Sequence, residues 1–132
     1  MKQITKDQML AVVTEASKRM TEAHYSSELV GAFYDKQTPA CQFITAHEKE
    51  LGGTEGVVSL VFHCALVAEA FRRAGGRVRS LSYEDLDAAA HDSLPRLEKV
   101  QLAVHEFIMA NVEHPEAQKL VGMIALALDS IA

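Results

Sequence analysis

The stretch Val57-Val58-Ser59-Leu60-Val61-Phe62-His63-Cys64-Ala65-Leu66-Val67-Ala68-Glu69-Ala70-Phe71, set between Gly52-Gly53 and Gly75-Gly76, decides the fold. Its apolar residues fall on every side of a helical wheel, so a helix over about 55–74 cannot lie with one face in water. Neighbouring elements have to wrap it. The glycine pairs on either side give it a start and a stop.

Outward toward the amino end, Thr38-Pro39 supplies an N-cap with proline in the first helical turn. That helix is expected to run through Phe43 and Ile44 to Leu51, with Gly52 as its C′ residue. Before it, Ser26-Ser27 can cap a shorter helix carrying Leu29, Val30, Phe33 and Tyr34 to about Gln37. Thr5 with Gln8 reads as a capping box for a first helix to about His24. Its inner stripe is Met9, Val12, Val13, Ala16, Met20 and Ala23.

Toward the carboxyl end, Arg77-Val78-Arg79 reads as an extended linker, and Ser82 to Asp85 opens a short helix with acids in its first turn. Its expected inner face is Tyr83, Leu86 and Ala90. Ser93 and Pro95 then open one long amphipathic helix through Leu97, Val100, Val104, Phe107, Ile108 and Val112, ending before Pro115. The last helix is apolar on more than one face from Leu120 to Leu128. Strand alternation and hairpin turns are missing, and no internal repeat is evident. The expectation is an all-α, compact single-domain bundle of six or seven helices over residues 1–132, built around the buried segment 55–74.

Composition narrows the function. Apolar residues make up 48% and charged residues 23%, which matches an ordinary globular core. A net charge of -5 opposes non-specific attraction to nucleic acid or anionic lipid. The central run, interrupted by His63 and Glu69, reads as too short and too polar for a membrane span. No signal peptide is apparent, and two cysteines without one point to reduced thiols in a cytoplasmic protein.

No motif assigns catalysis, a cofactor or a metal. His24 with Glu28 and Asp87 with His91 are helix-spaced ligand pairs, yet Glu-x-x-His occurs nowhere. His47-Glu48 and His105-Glu106 begin a zinc-protease motif but meet Leu51 and Met109 where its second histidine belongs. His24, His91 and His105 therefore read as solvated polar-face residues. Cys41 stands in a helix's first turn, where backbone N–H groups favour thiolate, but nothing accompanies it. His63 is expected to be buried, and a buried imidazole needs hydrogen-bond partners. Four guanidinium groups, Arg72, Arg73, Arg77 and Arg79, lie close in sequence, so they offer either an anion site or a set of local ion pairs with Glu84, Asp85 and Asp87.

Two functions remain open at this point. Apolar surface left over on the last helix, at Met123 and Leu126, suits a homodimer acting as an interaction module without chemistry of its own. The alternative is a small-molecule or anion-binding protein or enzyme with a pocket near His63 or the arginines, lined by Phe33, Tyr34, Phe62 and Phe71.

Overall fold

A computed structural model describes residues 3–132, and its single compact domain is all-helical. The helices are α1 (Lys6–Arg19), α2 (Tyr25–Lys36), α3 (Thr38–Thr45), α4 (Thr54–Arg73), α5 (Tyr83–Ala89), α6 (Ser93–Val100), α7 (Leu102–Asn111) and α8 (Pro115–Ile131). Among the described residues eight helices replace the expected six or seven, because the long helix over 93–112 is broken at Gln101. That residue leaves the helical region with φ -143° and ψ 71°.

Other boundaries moved for local reasons. Helix α1 stops at Arg19, and Met20 and Ala23, expected on its inner stripe, are exposed in the turn beyond it. Helix α2 starts at Tyr25 after a left-handed His24, so Ser26 and Ser27 lie inside it and are not its caps. Helix α3 ends at Thr45 and gives way to turns, which carry Leu51 into the core before Gly52 and Gly53 at φ 85° and 100°. In α5 the buried residues are Leu86 and Ala89; Tyr83 and Ala90 are exposed, and the Tyr83 hydroxyl donates to Gln42 Oε1.

The expected sheath around α4 forms over its second half, where Cys64 to Ala68, Ala70 and Phe71 are all buried. Its first half keeps an open face at Val58 and Ser59. By length and composition Thr54–Arg73 is apolar enough to cross a bilayer, contrary to the reading from sequence, but core helices meet the same criterion and this one is packed by α1, α2 and α8. Helix α8 is the more enclosed of the two. Leu120 through Leu128 are buried without a break, Met123 at 5% and Leu126 at 7% exposure, so the spare face expected there does not exist.

The eight helices fall into two runs of four that pack alike. Helices α1, α2 and α3 pack on α4, as α5, α6 and α7 pack on α8; α4 meets α8, and α1 touches α7 as α5 touches α3. The pattern of packing is thus unchanged when the two halves are exchanged. Details follow it. Gln37 joins α2 to α3 as Gln101 joins α6 to α7, and both are enclosed. Helices α1 and α5 start with capping boxes at Thr5 and Ser82, and α2 and α6 each follow a left-handed residue, His24 and Asp92.

The two halves also clasp each other. Gln101 Oε1 accepts the N–H of Ile4 and Gln37 Oε1 accepts the N–H of Leu81, both at 2.8 Å. Each glutamine thereby satisfies a buried donor just before the other half's first helix. The repeat escaped sequence reading because little identity survives. Phe43-Ile44 and Ala46 recur as Phe107-Ile108 and Ala110, at equal distances from their glutamines, while α1 is 14 residues and α5 only 7.

Candidate functional site

A cleft of about 440 Å³ lies where the end of α3, the start of α6 and the first half of α8 converge. Phe43, Leu94, Leu120 and Met123 give it an apolar lining. His47, Asp92, Ser93, Glu116 and Lys119 stand around it. Pro115 opens α8 and sets Glu116, Lys119, Leu120 and Met123 at helical spacing along one face. The left-handed Asp92, at φ 49°, turns the chain so that Ser93 and Leu94 enter from the opposite side.

Polar groups here have a definite sense. His47 Nδ1 lies 2.9 Å from the Phe43 carbonyl, which can only accept, so the neutral ring carries its proton on Nδ1 and keeps an acceptor at Nε2. The Ser93 hydroxyl donates to the Ala89 carbonyl and is left with acceptor capacity. Asp92 and Glu116 add carboxylates. Among the described residues Lys119 is the one Lys or Arg lining the cleft, and its Nζ lies 3.5 Å from Glu116 Oε1. Acceptors therefore outnumber donors. This suits the net charge of the whole chain, which draws cations toward the surface.

His63 lies in a second cleft, of about 260 Å³, between the first half of α4 and the α7–α8 turn. It is half-buried, not enclosed as expected, and its Nδ1 is 2.7 Å from the Ser59 carbonyl, so the partner missing from the helix-face side chains is a backbone oxygen. Its ring centroid is 6.1 Å from that of Phe107.

The arginines form local ion pairs and do not converge on a common pocket. Arg72 Nη1 is 2.8 Å from Glu69, and Arg73 pairs with Glu69 at 3.5 Å and with Glu15, whose carboxyl it holds below the ordinary value. Arg79 grips both oxygens of Asp85 at 2.8 and 3.3 Å, and hydrogen bonding to Arg79 and then to Ser82 holds that carboxyl near about 2. Of the acids expected as partners, Asp85 serves; Glu69 and Glu15 do the rest. Arg77 is exposed and makes no ion pair among the described residues. A narrow cleft of about 190 Å³ does adjoin Arg72, with Lys36 and Phe33, but it also contains Glu69.

The remaining sequence candidates separate. Phe33 and Phe71 are core residues, so the four aromatics do not line one pocket. Cys41 is enclosed, and burial pushes its thiol up to about 12, so its place in the first helical turn does not activate it and it packs as a small buried residue; Cys64 is raised further for the same reason. His24 and His91 are exposed, and His105 is half-buried with Nδ1 3.9 Å from Glu98. Among the described residues no group of three or more His, Cys, Asp or Glu side chains could hold a metal. Met123 and Leu126, read as a dimer surface, instead line clefts of their own fold.

Sequence reasoning passed over the Phe43 cleft because its walls come from three distant segments. In the sequence His47 stands out only as half of a metal motif, and nothing there marks Asp92 as left-handed. Comparison with protein-family models, with curated proteins and with solved structures finds no match for this chain.

Proposed function

We propose that this protein binds a small amphipathic molecule in the Phe43 cleft, its apolar body on Phe43, Leu120 and Met123 and its head a hydrogen-bond-donating ammonium. The observation that carries the reading is an apolar floor beneath a rim in which His47, Asp92 and Glu116 offer acceptors against the single cation of Lys119. An anionic ligand is the weaker alternative, because three of the four clustered arginines already hold carboxylates. Catalysis has no support in this arrangement, since no nucleophile is held by a base.

Tryptamine and indole-3-propionate carry the same ring on heads of opposite charge and make a direct test. Titrated into isotope-labelled protein, tryptamine should move the amide resonances of Phe43, His47, Ser93 and Lys119 in a saturating way, with a dissociation constant on the order of millimolar for about twelve heavy atoms. Preference for the propionate, or no saturation with either, defeats the reading.

A second reading is self-association through a different face from the one the sequence suggested. Leu10, Leu102 and Met109 are 61%, 50% and 46% exposed, and Lys6 on α1 pairs with Glu106 on α7 at 3.5 Å, so these residues belong to adjoining helices. Light scattering across a concentration series, with Met109→Lys as control, separates it from a monomeric binder.

A further inference from the structure

We propose that the His63 cleft is a second ligand seat, the counterpart of the Phe43 cleft, and that it takes an uncharged planar ring bearing a carboxamide. The inference rests on the reading of the Phe43 cleft for the idea that such a concavity is occupied, and otherwise on the repeat. Where α3 and α8 build the first cleft, their counterparts α7 and α4 build the second. The correspondence holds along the helix face: Gly56, Ser59, Leu60 and His63 line the second cleft with the spacing at which Glu116, Lys119, Leu120 and Met123 line the first. At the helix ends Asn111 occupies the place of His47.

The third wall differs. It is the α7–α8 turn, with His114, and not the joint between α1 and α2. What the exchange of residues does is clear from their chemistry. The pair Glu116 and Lys119 becomes Gly56 and Ser59, so two charges are replaced by a glycine packed against Leu51 and a hydroxyl. Met123 becomes His63, so an apolar contact is replaced by an imidazole.

Hydrogen bonding sets the ring polarities. With Nδ1 donating to the Ser59 carbonyl, neutral His63 offers an acceptor at Nε2. His114 does the reverse, because its Nδ1 accepts the Glu116 N–H at 3.3 Å and its Nε2 then carries the hydrogen. Asn111 spends its amide N–H₂ on the Phe107 carbonyl at 2.8 Å and keeps Oδ1 as an acceptor. One cleft thus presents acceptors at His63 and Asn111 and a donor at His114. A carboxamide carries the matching pair, two N–H donors and one carbonyl acceptor.

The test uses the intact isotope-labelled protein with nicotinamide as probe and tryptamine in parallel. Nicotinamide is expected to shift Ser59, His63, Asn111 and Val112 to saturation, with a dissociation constant on the order of 10 mM for about nine heavy atoms. His63→Met installs the residue that α8 carries at the matching position and should abolish the saturating shifts while the spectrum elsewhere stays native. Asn111→Ala, at an exposed site and independent of the first variant's folding, should weaken binding about fivefold through loss of one acceptor. Absence of saturation, equal binding by both variants, or nicotinamide shifts confined to Phe43 and Lys119 would overturn the proposal. If nicotinamide saturates and tryptamine does not, the second seat stands and the reading of the Phe43 cleft falls; the opposite result removes only the second seat.

Discussion

Replacing Gln37 by methionine removes one of the two clasps between the halves while nearly conserving side-chain volume. In the native protein Gln37 Oε1 accepts the Leu81 N–H at 2.8 Å and Nε2 donates to the Arg79 carbonyl at 2.7 Å. Leu81 is fully enclosed, so its N–H has no water to turn to and is orphaned at a cost of about 1–3 kcal/mol. The Arg79 carbonyl belongs to an exposed residue that water can reach, which limits its loss to about 0.5–1.5 kcal/mol. The two together come to about 1.5–4.5 kcal/mol. For a chain of 132 residues, with an unfolding entropy of about 2.1 cal/mol/K per residue, a loss of about 3 kcal/mol lowers the melting temperature by about 10 °C. Urea denaturation should show the midpoint falling by about 1–2 M with the slope unchanged. A loss below about 0.5 kcal/mol, or fast hydrogen exchange at the Leu81 amide of the unmodified protein, would refute the clasp as a stabilising contact.

Three further outcomes are expected. Asp85, held near about 2 against an ordinary 3.8, adds stability that is complete above 3.8 and disappears as the pH falls toward 2. The urea midpoints of Arg79→Gln and the parent should therefore differ at about pH 5 and converge near about pH 2; a constant gap refutes the coupling. Gly56→Ala should be much more damaging than Gly122→Ala, as thermal melts can show. At Gly56 the new Cβ would lie 1.8 Å from the Leu51 backbone carbonyl oxygen, whereas at Gly122 it meets the tip of Leu94 at 2.6 Å, which can swing aside into the Phe43 cleft. Equal losses would contradict that contrast. Finally, both thiols should resist a disulfide reagent at about pH 8 in the native state, reacting about a thousandfold slower than in urea, because burial leaves so little thiolate. Prompt labelling of Cys41 would show that α3 opens.

Much of the architecture was legible where local chemistry dictates it. The continuous apolar run at 57–71 gave α4, the Thr5 and Ser82 capping groups gave the starts of α1 and α5, and Pro115 gave the start of α8. What failed was long-range. On either side of Gln101 the apolar spacing continues as if through one helix; the break places its side chain to bond Ile4 and Asp129, 97 and 28 residues away. The full burial of α8 was misjudged for a similar reason, since sequence counts greasy faces but not the helices available to cover them. His63 illustrates the same limit at the scale of a site: its partner is the carbonyl four residues earlier, invisible to a search for side-chain acids.

The clasps have a consequence for how the chain emerges from a ribosome. The Ile4 N–H is satisfied by a residue 97 positions later, so it has no native acceptor until Gln101 has been made. At about 5–20 residues per second that interval is on the order of 5–20 s. The segment around Ile4 is therefore expected to remain accessible to chaperones and proteases over that interval, and to be seated only when Gln101 arrives.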